Sequence, residues 1–141
     1  MWRAFLETHR SVVRRLEVEL LEETSLPLDW YDVLVHLHEV GGSRRMQELA
    51  AALGADKSSL SRRVDRMCEA GLVERQASPD DRRGTLAVLT PHGRAVLKEA
   101  SPVHLRGVYW HFTQHLSDSD VTALRRILSK VLAGMEGEEE R

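Results

Sequence analysis

Between Lys57 and Arg66 the chain reads KSSLSRRVDR, and its chemistry concentrates there. Ser58, Ser59 and Ser61 are small hydroxyls; Lys57, Arg62 and Arg63 are cations set among them. Small side chains let a helix come close to base edges. Serine exchanges hydrogen bonds with bases or phosphates, and arginine bridges guanine O6 and N7. A second basic pair, Arg82-Arg83, follows Asp80-Asp81 in a turn-like stretch. Basic side chains on a hairpin tip suit a minor groove or a phosphate. The plainer accounts are a solvated charged helix face for the first group and ordinary turn chemistry for Asp80-Asp81. The order of the surrounding elements favours nucleic acid over both.

Other reactive residues offer less. His36 and His38 are two apart and do not share a helix face, whereas His111 and His115 are four apart and could share a metal, with His104 seven before. No Cys or Glu cluster completes a ligand set, so an ordinary histidine pair is expected and no metal or cofactor is assigned. A metal-sensing role for His104, His111 and His115 is the alternative. Cys68, the single cysteine, lies beside an apolar helix face and reads as a structural thiol. No Ser-His-Asp triad, paired carboxylates or phosphate loop occurs at a usable spacing, so no enzyme is expected.

Composition sets the frame. With 141 residues, 42% hydrophobic and 30% charged, a single soluble domain is expected. No apolar run is long enough to span a membrane, the charged start is unlike a signal peptide, and one cysteine suits a reducing cytoplasm. The net charge of -2 argues against nucleic acid at first sight. Gly41 to Thr90, however, holds nine basic and seven acidic residues, leaving +2 there and -4 elsewhere, much of it in the tail EGEEER. Patch geometry, rather than the total, governs phosphate binding.

The elements that must position these residues are legible as patterns. Met1 to Glu23 has helical apolar spacing, broken at Thr24 to Pro27. Leu28 to Val40 is a short helix with Trp30, Val33, Leu34 and Leu37 as its apolar stripe, ended by Gly41-Gly42. A long two-stranded insertion is not expected before the next helix, Arg45 to Leu53, because Met46 begins its pattern almost at once. Gly54 makes a turn, Asp56 caps a helix to about Ala70, and Gly71 stops it. On that helix Leu60, Val64 and Met67 point inward. Ser58, Arg62, Asp65 and Glu69 lie opposite, flanked by Ser59, Ser61 and Arg66. Leu72 to Gln76 and Thr85 to Leu89 are strands around the turn at Ser78 to Asp81. Thr90-Pro91 starts a helix that runs to about Leu116 with a kink at Pro102. Ser117 to Asp120 starts the last helix, and Gly134 to Arg141 is expected to fray. The fold class is mainly α with a small β-wing, a winged helix-turn-helix flanked by helices.

These residues resemble the MarR family of bacterial transcriptional regulators. MQELAAAL is similar to its first motif helix and DKSSLSRRVDRMCEAGLVER to its recognition helix and first wing strand. DDRRG resembles the wing tip and LAVLTPHG the second wing strand with the start of the next helix. The flanking helices fit too, so the resemblance covers nearly the whole chain. It implies a homodimer: residues 1–27 and 91–141 intertwine for dimerisation, and residues 28–90 form the DNA-binding region. Two recognition helices then read a pseudo-palindrome in major grooves roughly 34 Å apart. Carried over by position, Lys57, Ser58, Ser59, Ser61, Arg62, Arg63, Arg82 and Arg83 are the DNA contacts, and Asp81 with Arg83 forms a wing salt bridge. The family often has Thr where this chain has Ser59 or Ser61, which leaves base preference open. The resemblance also implies a small phenolic or anionic effector, held near Trp30, Tyr31, His36 and His104. A ligand-responsive repressor is thus the expectation; a winged-helix module that binds protein is the alternative. The large apolar groups near the chain start (Trp2, Phe5 and Leu6) argue for dimerisation independently, with intrachain packing as the other account.

Overall fold

The computed structural model describes residues 1–80 and 84–139. Helix α1 (Trp2–Thr24) is followed by α2 (Leu28–Glu39), strand β1 (Ser43–Arg45), α3 (Met46–Leu53) and α4 (Lys57–Glu69). Strands β2 (Val73–Ala77) and β3 (Thr85–Leu89) come next, then α5 (Pro91–His111), a single 3₁₀ turn at Thr113–His115 and α6 (Asp118–Glu139). No helix among these residues is long and apolar enough to cross a membrane.

The core lies where α2, α3 and α4 meet the sheet and the first half of α5. Val33, Leu34, Leu37, Leu49, Val64, Met67 and Ala87 are fully buried there, with Leu60 and Val73 almost so. On α2 the stripe differs from expectation. Tyr31 is buried at 4% exposure while Trp30 only packs against the edge of the core. One helical step separates them, and the α2–α5 contact selects the tyrosine face.

The sheet has three strands in the order β1-β3-β2, both pairs antiparallel. The wing pair runs from Val73 opposite Leu89 to Ala77 opposite Thr85, and Ser78 N–H donates to Gly84 O at 3.0 Å to close its base. The third strand, β1, is absent from the sequence reading. Ser-Arg-Arg has no apolar alternation, and its strand conformation comes from pairing with β3 rather than from propensity.

Thr90 joins the sheet to α5. Its Oγ accepts from the Gly93 N–H at 2.9 Å and donates to Gly71 O at 2.6 Å, and Pro91 takes the first helical position. Thr90→Val keeps the shape and removes both bonds. It is expected to cost about 1–2 kcal/mol, seen as a lower urea midpoint at unchanged slope, with Thr90→Ser close to wild type.

Helix α5 passes Pro102 without a break but ends at His111, short of Leu116, because Phe112 leaves helical geometry (φ -137, ψ -70). Ser117 and Asp120 then cap α6 reciprocally: Asp120 N–H donates to Ser117 Oγ at 3.2 Å and Ser117 N–H to Asp120 Oδ2 at 2.9 Å. Helix α6 continues through Gly134 to Glu139, where fraying was expected. Its outer face leaves Ile127, Leu128, Val131, Leu132 and Met135 exposed, as are Trp2 and Phe5 on α1. Between α1 and α6 lies an apolar groove of about 410 Å³ lined by Phe5, Val12, Val13, Phe112, Leu124 and Leu128.

Candidate nucleic-acid interface

Helix α4 is anchored on one side and open on the other. Leu60, Val64 and Met67 are buried beneath it, as their spacing requires. Its start is fixed by Asp56. One carboxylate oxygen, Oδ2, receives the Ser59 N–H at 3.0 Å, the Ser58 hydroxyl at 2.7 Å and the Ser59 hydroxyl at 2.9 Å. These bonds, the Ser58 hydroxyl first, hold the Asp56 carboxyl down at about 2. It is therefore ionised near neutral pH and only accepts.

The exposed face of α4 carries Ser58, Ser59 and Arg62, and Arg62 Nη2 reaches Ser59 Oγ at 3.4 Å. Ser61 faces sideways, into a groove of about 420 Å³ between α4 and the sheet. Lys57, Arg45 and Arg75 line that groove with Gly84 and Thr85 of the wing. Arg75, on β2, crosses back to the helix. Its Nη2 donates to Ser61 O and Ser61 Oγ, both at 3.0 Å, and pairs with Asp65 Oδ1 at 2.9 Å. Asp65, on the exposed side of α4, is thereby paired to a cation.

Arg63 is placed differently from its neighbours. It turns towards α2, with Nε 3.4 Å from Asp29 Oδ2 and Nη1 donating to Asp29 O at 3.5 Å. Burial pushes the nearby Asp32 carboxyl up, against the pull of the same guanidinium. Arg62, Arg63 and Arg66 with Trp30 and Asp29 border a second, smaller groove of about 230 Å³. Of the expected wing residues, Asp81, Arg82 and Arg83 lie outside the described residues. Asp80 stands 4.0 Å from Arg45.

The groove residues Arg45 and Arg75 were not singled out by sequence. Their charge was visible; their convergence depends on the β1-β3-β2 register, which brings two separate strands to one helix flank.

The four residues grouped as an effector site do not line one space. Tyr31 and His104 do meet, their rings 4.5 Å apart, and the Tyr31 hydroxyl lies 3.5 Å from Ser101 Oγ. His104 Nδ1 is buried without a partner among the described residues, and burial pushes the imidazole pKa down. Trp30 walls the arginine groove instead, and His36 Nε2 accepts from Arg44 at 2.5 Å. The metal alternative finds no support. His104 packs on Tyr31 while His111 Nε2 meets Glu19 Oε1 at 2.6 Å, and no three metal-binding side chains converge among the described residues. Cys68 is half-buried, and burial pushes its thiol up, away from the reactive thiolate.

Comparison with known proteins gives this arrangement its relatives. The model of the MarR family matches residues 24–84. The multiple antibiotic resistance protein MarR of Salmonella typhimurium is 33% identical over 85 residues, which make up 60% of this chain and 59% of that protein. Two structures from Streptomyces coelicolor superpose along almost the whole length. AbsC, a MarR family transcriptional regulator, is 37% identical with a TM-score of 0.89, over 96% of this chain and 92% of its own. Sco3205, another MarR family transcriptional regulator, solved in complex with DNA, is 31% identical with a TM-score of 0.89, over 95% and 88%. A winged helix-turn-helix shared at this identity over nearly the full chain means that the protein belongs to the MarR family of transcriptional regulators.

Proposed function

We propose that this regulator is a ligand-responsive repressor that binds a pseudo-palindromic operator as a homodimer in the cytoplasm. Residues 28–90 carry DNA binding; residues 1–27 and 91–141 carry dimerisation. The observation that supports this most is the two-faced α4. Leu60, Val64 and Met67 anchor it while Ser58, Ser59 and Arg62 stay exposed beside the cationic groove of Lys57, Arg45 and Arg75. The DNA complex of Sco3205 supports the same use of the fold. Lys57, Ser58, Ser59, Ser61 and Arg62, with Arg82 and Arg83 of the wing, are the proposed contacts. Asp81 pairs with Arg83 in this reading. Arg63, paired to Asp29, ties the recognition helix to α2 and contributes less to the duplex.

Pairing of two chains is supported by the row Ile127, Leu128, Val131, Leu132 and Met135, a helical seam left open in one copy. The local surplus of two positive charges is small for phosphate binding, and pairing doubles it. Tyr31 and His104, with the unpartnered His104 Nδ1, are the proposed seat of a small phenolic or anionic effector. A phenol hydroxyl would donate a hydrogen bond to that nitrogen, and an anion would accept one from it in the Nδ1–H tautomer.

Binding to duplexes from the promoter of the regulator's own or a neighbouring gene tests the reading. Arg62→Ala and Arg83→Ala should each lose about 1–3 kcal/mol for a base-contacting arginine, and wild-type affinity should fall steeply with salt. Unchanged binding in both variants would remove the residue assignment. No binding to any duplex at low salt would point to a protein partner.

A further inference from the structure

The hydrogen bonds around α4 also decide which way each serine hydroxyl can act. The Asp56 carboxylate can only accept, so Ser58 and Ser59 both direct their protons onto its Oδ2, at 2.7 Å and 2.9 Å. What they retain for a ligand is oxygen lone pairs. Arg75 can only donate. Its Nη2 sits 3.0 Å from Ser61 Oγ, so Ser61 accepts there on one of its two lone pairs and keeps its own proton to give, with the cation making the remaining lone pair the poorer handle. Asp65 at 2.9 Å and the Ser61 carbonyl at 3.0 Å hold that guanidinium in place.

We propose that these contacts preset the polarity of base readout: Ser58, with Ser59 behind it, meets the duplex as a hydrogen-bond acceptor, and Ser61 meets it as a donor. The inference rests on the operator-binding reading of α4. In the major groove cytosine offers only an amine donor, guanine and thymine only acceptors, and adenine one of each. The base against Ser58 is therefore adenine or cytosine, with guanine and thymine rejected. The base against Ser61 is guanine, thymine or adenine, with cytosine disfavoured, because the one lone pair left beside the Arg75 cation is a poor acceptor for its amine. Ser59 Oγ also accepts from Arg62 at 3.4 Å, which leaves Ser58 the less encumbered reader. Arg75 is a positioning residue in this scheme. Without it the Ser61 hydroxyl has both lone pairs free and no cation beside them, and cytosine becomes tolerated.

The test is selection from a pool of randomised duplexes by the full-length protein, as wild type and as Ser58→Ala, Ser61→Ala, Arg75→Met and Arg75→Lys, each checked for helix content. Ser58→Ala should lose a preference for adenine or cytosine at one half-site position, by about three- to tenfold, the worth of one hydrogen bond. Ser61→Ala should lose discrimination against cytosine at a different position, by a similar factor. Arg75→Met should relax that same position, and Arg75→Lys should restore it. If Arg75→Met does not fold, Ser61→Ala still tests the donor assignment. Guanine or thymine at the Ser58 position, or cytosine at the Ser61 position, overturns the proposal. So do base preferences that survive both serine changes, and an Arg75→Met protein weakened equally on all sequences. A wild type that enriches no duplex overturns the operator-binding reading, and this inference with it.

Discussion

Leu128→Asp combined with Leu132→Asp should yield a folded monomer that no longer holds its operator. Both residues lie on the face of α6 that one chain leaves open, at 40% and 58% exposure, beside the apolar groove against α1. Burying such a side chain contributes about 1.5–3 kcal/mol. A carboxylate buried in the same seam costs several kcal/mol more. Two substitutions, repeated across a two-fold interface, place four carboxylates in it. The dimer constant should weaken by more than about a thousandfold, since each 1.4 kcal/mol is a factor of ten. Sedimentation at micromolar concentration should shift from dimer to monomer while the helical circular dichroism of the core lobe persists. Operator affinity should fall with it, because each half-site then binds alone. A variant that sediments as wild type would show that the α6 face is not the interface.

Gly93→Ala should be strongly destabilising for a single added methyl group. A Cβ at Gly93 would stand 2.1 Å from Leu72 O and 2.9 Å from Leu89 Cδ1. The first contact is backbone, immediately after α4, and cannot swing aside. Overpacking a core costs about 1–3 kcal/mol and occasionally more, and a backbone clash of this depth belongs at the upper end. A drop of about 10 °C in melting temperature follows at roughly 3–4 °C per kcal/mol. The Thr90 cap, whose Oγ is bonded to Gly93 N–H, is disturbed at the same stroke. Gly137→Ala provides the contrast: it is helical with nothing within 4 Å, so an alanine there should raise stability slightly. Equal melting temperatures for the two variants would refute the steric argument.

How far sequence reached can be read from these same residues. The helix-turn-helix and wing were legible because each boundary carries its own chemical mark: Asp56 as a cap, Gly54 and Gly71 with φ of 59 and 76, and Thr90-Pro91 at the start of α5. The inward set Leu60, Val64 and Met67 followed from period alone. Strand β1 was not legible, since three polar residues acquire a strand only from a partner far along the chain, Ser43 opposite Val88 and Arg45 opposite Leu86. The exchange of Tyr31 for Trp30 in the core turns on a rotation of α2 that neither periodicity nor hydrophobicity distinguishes. The same holds for the site. The serines and arginines of α4 were visible as types, but the Arg75 clamp on Ser61 and the turn of Arg63 to Asp29 join separate elements, and no spacing rule encodes them. The pairing of His111 with Glu19, far apart in sequence, is likewise invisible in the four-residue interval between His111 and His115.

Helix α5 is also a lever arm. Its 21 residues begin at the last strand of the wing and end against α1, a span of about 31 Å at 1.5 Å per residue. A tilt of about 5° at one end displaces the other by about 3 Å, half the width of a minor groove. Pro102 removes one backbone bond near the middle of the arm, and Tyr31 and His104 sit beside that point. The arm therefore bends most easily where α2 touches it, so a push too small to unseat any single contact is magnified at both ends at once.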